Sequence, residues 1–153
     1  MLKSIINIIM ASLLLVSSTL DARLGIHNDD QMAGKYISVT MTCQYGGRVG
    51  PCPDPCANTF TLGALESKSC EISYPHEVKI WFKWGDTNAI SATLTADPKN
   101  NVRVLQIHNP NGSHDTSTSP GGAAGTPVAL DIYFGNDNRA YPPNPARLTP
   151  IWR

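Results

Sequence analysis

Trp81 stands between Lys79 and Lys83 in the run EVKIWFKW at residues 77–84. Side chains of an extended chain alternate between two faces, so these three share one face and Val78, Ile80, Phe82 and Trp84 share the other. An indole between two ammonium groups on a solvated face is equipped to bind: it can stack on a sugar ring, a base or a partner side chain. Lys79, Trp81 and Lys83 are therefore the candidate binding residues. Just upstream, Tyr74-Pro75-His76 sets a phenol and an imidazole two residues apart, groups able to take part in proton transfer. The other histidines, His27, His108 and His114, are scattered, and their spacing promises no convergent metal cluster. Asp29-Asp30 and Asn136-Asp137-Asn138 read as ordinary turns. No Gly-x-Ser-x-Gly elbow and no phosphate loop occurs. The sequence thus predicts no metal and no cofactor. Asn111-Gly112-Ser113 is a candidate glycosylation sequon in a surface loop.

These residues need a scaffold, and the first 22 residues say where it is built. Lys3, an apolar run from Ile5 to Val16, and Ser17, Ser18 and Thr19 leading to Ala22 have the layout of a secretory signal peptide. Cleavage is expected after Ser18 or Ala22. The apolar run is too short to span a bilayer, so the sequence predicts a secreted protein without stable membrane insertion. Cys43, Cys52, Cys56 and Cys70 all follow this segment. An even count in an exported chain reads as two disulfides, with three pairings open. Their C-x8-C-x3-C-x13-C spacing fits no common zinc pattern. With 12 basic and 12 acidic side chains the chain is neutral, so no broad attraction for nucleic acid is expected.

Residues 23–34 are short, polar and unpatterned and read as an N-terminal arm. Residues 35–153 read as a single β-rich domain with a Pro-rich tail. Lys35 to Cys43 alternates as a half-buried strand. Residues 44–58, rich in Gly and Pro, read as a loop held by disulfides. Thr59 to Leu65 reads as a short strand or a turn of helix. Glu77 to Trp84, Ile90 to Ala96, Val102 to His108 and Pro127 to Phe134 read as strands, with hairpins near residues 85–89 and 97–101. Residues 109–126 read as a long loop containing His114-Asp115. The tail from Tyr141 is expected to run extended and pack Ile151 or Trp152 on the body. No helical period appears. Five to seven short strands with two disulfides define an all-β fold, an antiparallel sandwich or partly closed barrel.

Tyr74-Pro75-His76 followed by a strand resembles the Tyr-Pro-His segment of the small secreted fungal guanyl-specific ribonucleases of the N1/T1 family. The resemblance implies RNA cleavage through a 2′,3′-cyclic phosphate, with Tyr74 and His76 in the first catalytic pair. It breaks off at the other catalytic groups. Arg103 and His108 are five apart on one expected strand and so face opposite ways. Glu77 adjoins His76, and no later glutamate stands in a suitable place. By overall layout (short signal peptide, small neutral domain, two disulfides, β-rich pattern) the chain resembles secreted effector and avirulence proteins of plant-pathogenic fungi, the blast fungus among them. That implies virulence function through a host protein, delivery in or around host cells, and recognition by an intracellular immune receptor. Three readings follow: a non-enzymatic effector in a host–pathogen interaction, an extracellular carbohydrate- or wall-binding module using Trp81, and an inactive ribonuclease-like protein.

Overall fold

Wherever apolar and polar residues alternate, a strand forms, and the strands collect into two facing sheets. The structure is a computed structural model that describes residues 22–29, 36–73, 76–84, 88–97, 102–121, 128–135 and 147–153. Eleven strands occupy them: β1 Ala22–Asn28, β2 Ile37–Tyr45, β3 Arg48–Pro51, β4 Thr59–Leu62, β5 Ser67–Ile72, β6 Glu77–Trp84, β7 Asn88–Asp97, β8 Val102–His108, β9 His114–Thr118, β10 Val128–Gly135 and β11 Arg147–Trp152. The larger sheet has seven strands in the order β3-β2-β6-β7-β8-β9, with β4 also paired to β2. The smaller has four, β11-β10-β1-β5. Neither closes on itself, so the all-β fold is a sandwich and not a barrel.

One continuous core lies between the sheets. The large sheet contributes Val39, Met41, Ile80, Phe82, Ile90, Leu94 and Leu105; the small sheet contributes Leu24, Ile26, Ile72, Ile132 and Phe134. Each such side chain stabilises by roughly 1.5–3 kcal/mol when withdrawn from water. Phe134 is the junction: its ring lies 6.2 Å from Phe82 and 5.2 Å from Trp84.

Two clips join the sheets near their edges. On one side Cys56, between β3 and β4, is bonded to Cys70 of β5, and Asn28 Nδ2 donates to the carbonyls of Leu62 and Gly63. On the other, Trp152 Nε1 of β11 donates to Ser117 Oγ of β9 at 2.8 Å. The second disulfide, Cys43–Cys52, braces the β2–β3 hairpin. Both disulfides fit an oxidising compartment. Among the described residues no helix is long and apolar enough to cross a membrane.

The structure corrects several expectations: eleven strands replace the expected five to seven, and β5 was not among those read from the sequence. The supposed polar arm contains β1, which runs between β10 and β5 inside the small sheet with Leu24 and Ile26 fully buried. Its pairing with β10 is parallel, while the other described pairings are antiparallel. Residues 44–58 hold β3, turned back on β2 through Gly46, whose φ of 59° lies in the left-handed region. Residues 109–126 hold β9, so His114 and Asp115 sit on an edge strand paired with β8. The tail, expected to lie extended, forms β11 against β10; Trp152 is half-buried and Ile151 exposed. Residues 1–21 lie outside the described residues. Ala22, the later of the two expected cleavage positions, already pairs with Val128 and Ile72.

Candidate functional site

β6 has the strictest alternation in the chain, and the fold gives it neighbours on both sides, β2 and β7. Val78, Ile80 and Phe82 are fully buried. Lys79, Trp81 and Lys83 project from the opposite face, and Trp81 is 39% exposed. Placing that indole in an inner strand, and not at an edge, surrounds it with a flat array of polar groups. Across the sheet its row reads Thr59, Thr40, Trp81, Ser91, His108, His114. The next reads Thr42, Lys79, Thr93, Gln106, Thr116. Five strand spacings of about 4.8 Å make the Trp81 row roughly 24 Å wide.

This row is ordered by its own contacts. Thr40 Oγ1 and Thr59 Oγ1 share a hydrogen bond of 2.8 Å. The His108 and His114 rings meet edge to face, with centroids 4.5 Å apart. Lys79 Nζ lies 3.5 Å from Glu77 Oε1, a solvated pair of small energetic weight. The hydroxyls can donate and accept, the lysines can meet carboxylates, and the Trp81 ring offers a face for stacking.

The ribonuclease-like residues are not gathered in this way. Tyr74 and Pro75 lie outside the described residues. His76 is exposed at the foot of β6, where its backbone N–H donates to the Gln44 carbonyl at 2.7 Å. Arg103 is buried on the inner face of β8, its Nε without a hydrogen-bond partner, while His108 projects from the outer face. Asn111 is exposed in the β8–β9 turn, and its Oδ1 accepts from the backbone N–H and the hydroxyl of Ser113. Cys43, Cys52, Cys56 and Cys70 are all in disulfides. Among the described residues no three His, Cys, Asp or Glu side chains converge as a metal site.

A second polar cluster, on the outer face of the small sheet, escaped the sequence reading. The parallel register sets Gly25 beside Asp131 and His27 beside Tyr133. His27 stacks on the Tyr133 ring with centroids 4.4 Å apart and planes 10° from parallel. Its Nε2 lies 2.9 Å from Asp131 Oδ1, and since a carboxylate only accepts, Nε2 carries the proton. Arg153 Nε donates to the other oxygen, Oδ2, at 3.0 Å. Gly25 supplies the room: a Cβ there would collide with Asp131 Oδ1 and come within 2.8 Å of His27 Nε2. The cluster borders a cleft of about 260 Å³. The available signal was the alternation Arg23-Gly25-His27, read together with Asp131-Tyr133.

The fold and faces define a disulfide-braced, two-sheet sandwich with an aromatic, hydroxyl-rich platform. No protein-family model, curated protein or solved structure matches the chain.

Proposed function

We propose that this is an exported binding protein without catalytic function, acting as a secreted fungal effector does, by docking on a host protein through the outer face of its seven-stranded sheet. The observation that carries the reading is Trp81, 39% exposed in an inner strand between two lysines. Tryptophan is one of the residues enriched among interface anchors, and the short hydroxyls of Thr40 and Ser91 beside it leave its ring open to a partner. Lys79 and Lys83 favour a partner with carboxylates around an apolar pocket. Recognition of the same face by an intracellular immune receptor belongs to this reading.

A second reading, a carbohydrate- or wall-binding module, draws on Thr40 and Ser91, which flank Trp81 in register. A sugar stacked on the indole would meet hydroxyls on both sides. The ribonuclease reading has less support, because Arg103 and His108 lie on opposite faces of β8.

The test is affinity. A host protein captured by the wild-type chain should bind Trp81→Ala at least about thirtyfold more weakly, the size of an interface anchor of about 2 kcal/mol. Unchanged affinity refutes the docking face. Retention on insoluble cell-wall glycan, lost in Trp81→Ala and without a protein partner, favours the second reading.

A further inference from the structure

The small sheet's outer face is a built site that the platform on the other sheet does not use. Its cleft is bordered by Arg23, His27, Asp131, Arg153 and the serines at positions 67 and 69. We propose that this cleft binds a small tetrahedral oxyanion, a phosphate or sulfate ester, on the guanidinium groups of Arg23 and Arg153.

Hydrogen-bond bookkeeping supports this. Among the described residues that line the cleft, the one carboxylate side chain, Asp131, has one oxygen engaged by His27 and the other by Arg153. What is left to meet a ligand is rich in donors. Arg153 commits Nε to Asp131 and keeps its terminal amino groups. Arg23 adds a second guanidinium, and Ser67 and Ser69 add hydroxyls. Glu71 stands opposite Arg23 in register but does not line the cleft. Lys68 lines the cleft too, with its ammonium 4.5 Å over the Phe60 ring. Forked guanidinium donors suit planar or tetrahedral oxyanions far better than neutral ligands.

The site is also held in shape before any ligand arrives. His27 is fixed twice, by its stack on Tyr133 and by Asp131, and Asp131 is fixed by Arg153. Gly25 leaves the space in which the pair sits. Such pre-ordering of charged groups reduces the entropy lost on binding. At about 260 Å³ the cleft falls just below the usual range for drug-sized ligands, so it suits an oxyanion carried on one sugar ring or a few carbons.

Calorimetry on the folded, disulfide-bonded protein tests the proposal, using inorganic phosphate, sulfate and chloride at equal ionic strength. Phosphate or sulfate should bind and chloride should not. Glucose 6-phosphate and glucose 6-sulfate then tell which ester is preferred. Arg23→Ala and Arg153→Ala should each weaken binding about tenfold or more, the effect of losing one charge-assisted hydrogen bond, with melting temperature little changed. Trp81→Ala should bind as the wild type does, which separates this site from the docking face. No binding beyond that of chloride, or full affinity in both arginine variants, overturns the assignment.

Discussion

Replacing Gly25 with alanine should destabilise the protein only while Asp131 is present. In an ordinary strand, alanine is favoured over glycine by roughly 0.5–1 kcal/mol, because glycine loses more backbone freedom on folding. Here the new Cβ would overlap Asp131 Oδ1 and press on His27 Nε2. Neither neighbour can move away freely. The carboxylate is tied to Arg153, and the imidazole is stacked on Tyr133. Overpacking of this kind typically costs about 1–3 kcal/mol. Displacing the carboxylate adds part of the His27 hydrogen bond, discounted because those side chains are 27% and 20% exposed, and little from the Arg153 pair, whose guanidinium side chain is 65% exposed. The net loss for Gly25→Ala should be about 1–3 kcal/mol, a fall in melting temperature of roughly 4–12 °C for a domain of this size. In an Asp131→Ala background the closest collision is gone, and His27, released from its hydrogen bond, is held only by the Tyr133 stack. The same substitution should then be neutral or stabilising by up to about 1 kcal/mol. Thermal or urea unfolding of the four proteins in this cycle measures the coupling directly. Equal losses in both backgrounds, or no loss with Asp131 intact, would refute the reasoning.

The core and the platform make separate demands. Phe82→Ala should cost about 3–5 kcal/mol, whereas Trp81→Ala should cost less than half of that; equal falls in melting temperature would show that Trp81 is core. Protein folded under oxidising conditions should contain no alkylatable thiol by mass spectrometry, since all four cysteines are paired. Removing Cys56–Cys70 by double serine substitution should cost about 3 kcal/mol from a sequence separation of 14, measured by denaturant unfolding. A fluorescent RNA substrate should survive incubation with the protein; cleavage that disappears in His76→Ala would promote the ribonuclease reading over the binding one.

How far the fold could be read depended on where its apolar residues lie. β6 was legible because Val78, Ile80 and Phe82 face one core while every intervening residue is polar or exposed. β7 and β10 were legible on the same ground, and β8 because it is apolar on both faces, as an inner strand can be. β9 was not, because an edge strand of His, Asp, Thr and Ser carries no apolar signal. Its Ser117 meets Trp152 of the other sheet through a hydrogen bond, where a core residue would have announced a strand. β1 was missed because Leu24 and Ile26 are the only large apolar residues on an inner face shared with Ala22 and Asn28, and buried Asn28 serves to bond the opposite layer. The disulfide pairing was beyond sequence spacing. Cys43–Cys52 follows from the β2–β3 hairpin, and Cys56–Cys70 from the meeting of a loop with the small sheet. The platform was readable because one strand carries all three of its candidate residues. The oxyanion cleft was not: His27 and Asp131 stand 104 residues apart, and parallel pairing of the first strand with the tenth brings them together.

That parallel pairing also decides where function can reside. Both sheets spend their inner faces on a shared core, and each side of the sandwich is tied by a cross-sheet contact: the Cys56–Cys70 bond and Asn28 on one side, the Trp152–Ser117 bond on the other. The contacts between the sheets do not use their two outer faces. These faces point in opposite directions across a core about 10 Å thick, too far apart for one small ligand to touch both. They also differ in kind. The large sheet offers a broad plane of hydroxyls around one indole, suited to another surface. The small sheet offers a cleft of fixed donors, suited to a small anion. Because Arg23, Gly25 and His27 all sit on β1, the small-sheet site depends on β1 being inserted between β10 and β5. A cut at the expected Ser18 position would leave β1 whole, whereas a cut after Ala22 would remove its first paired residue.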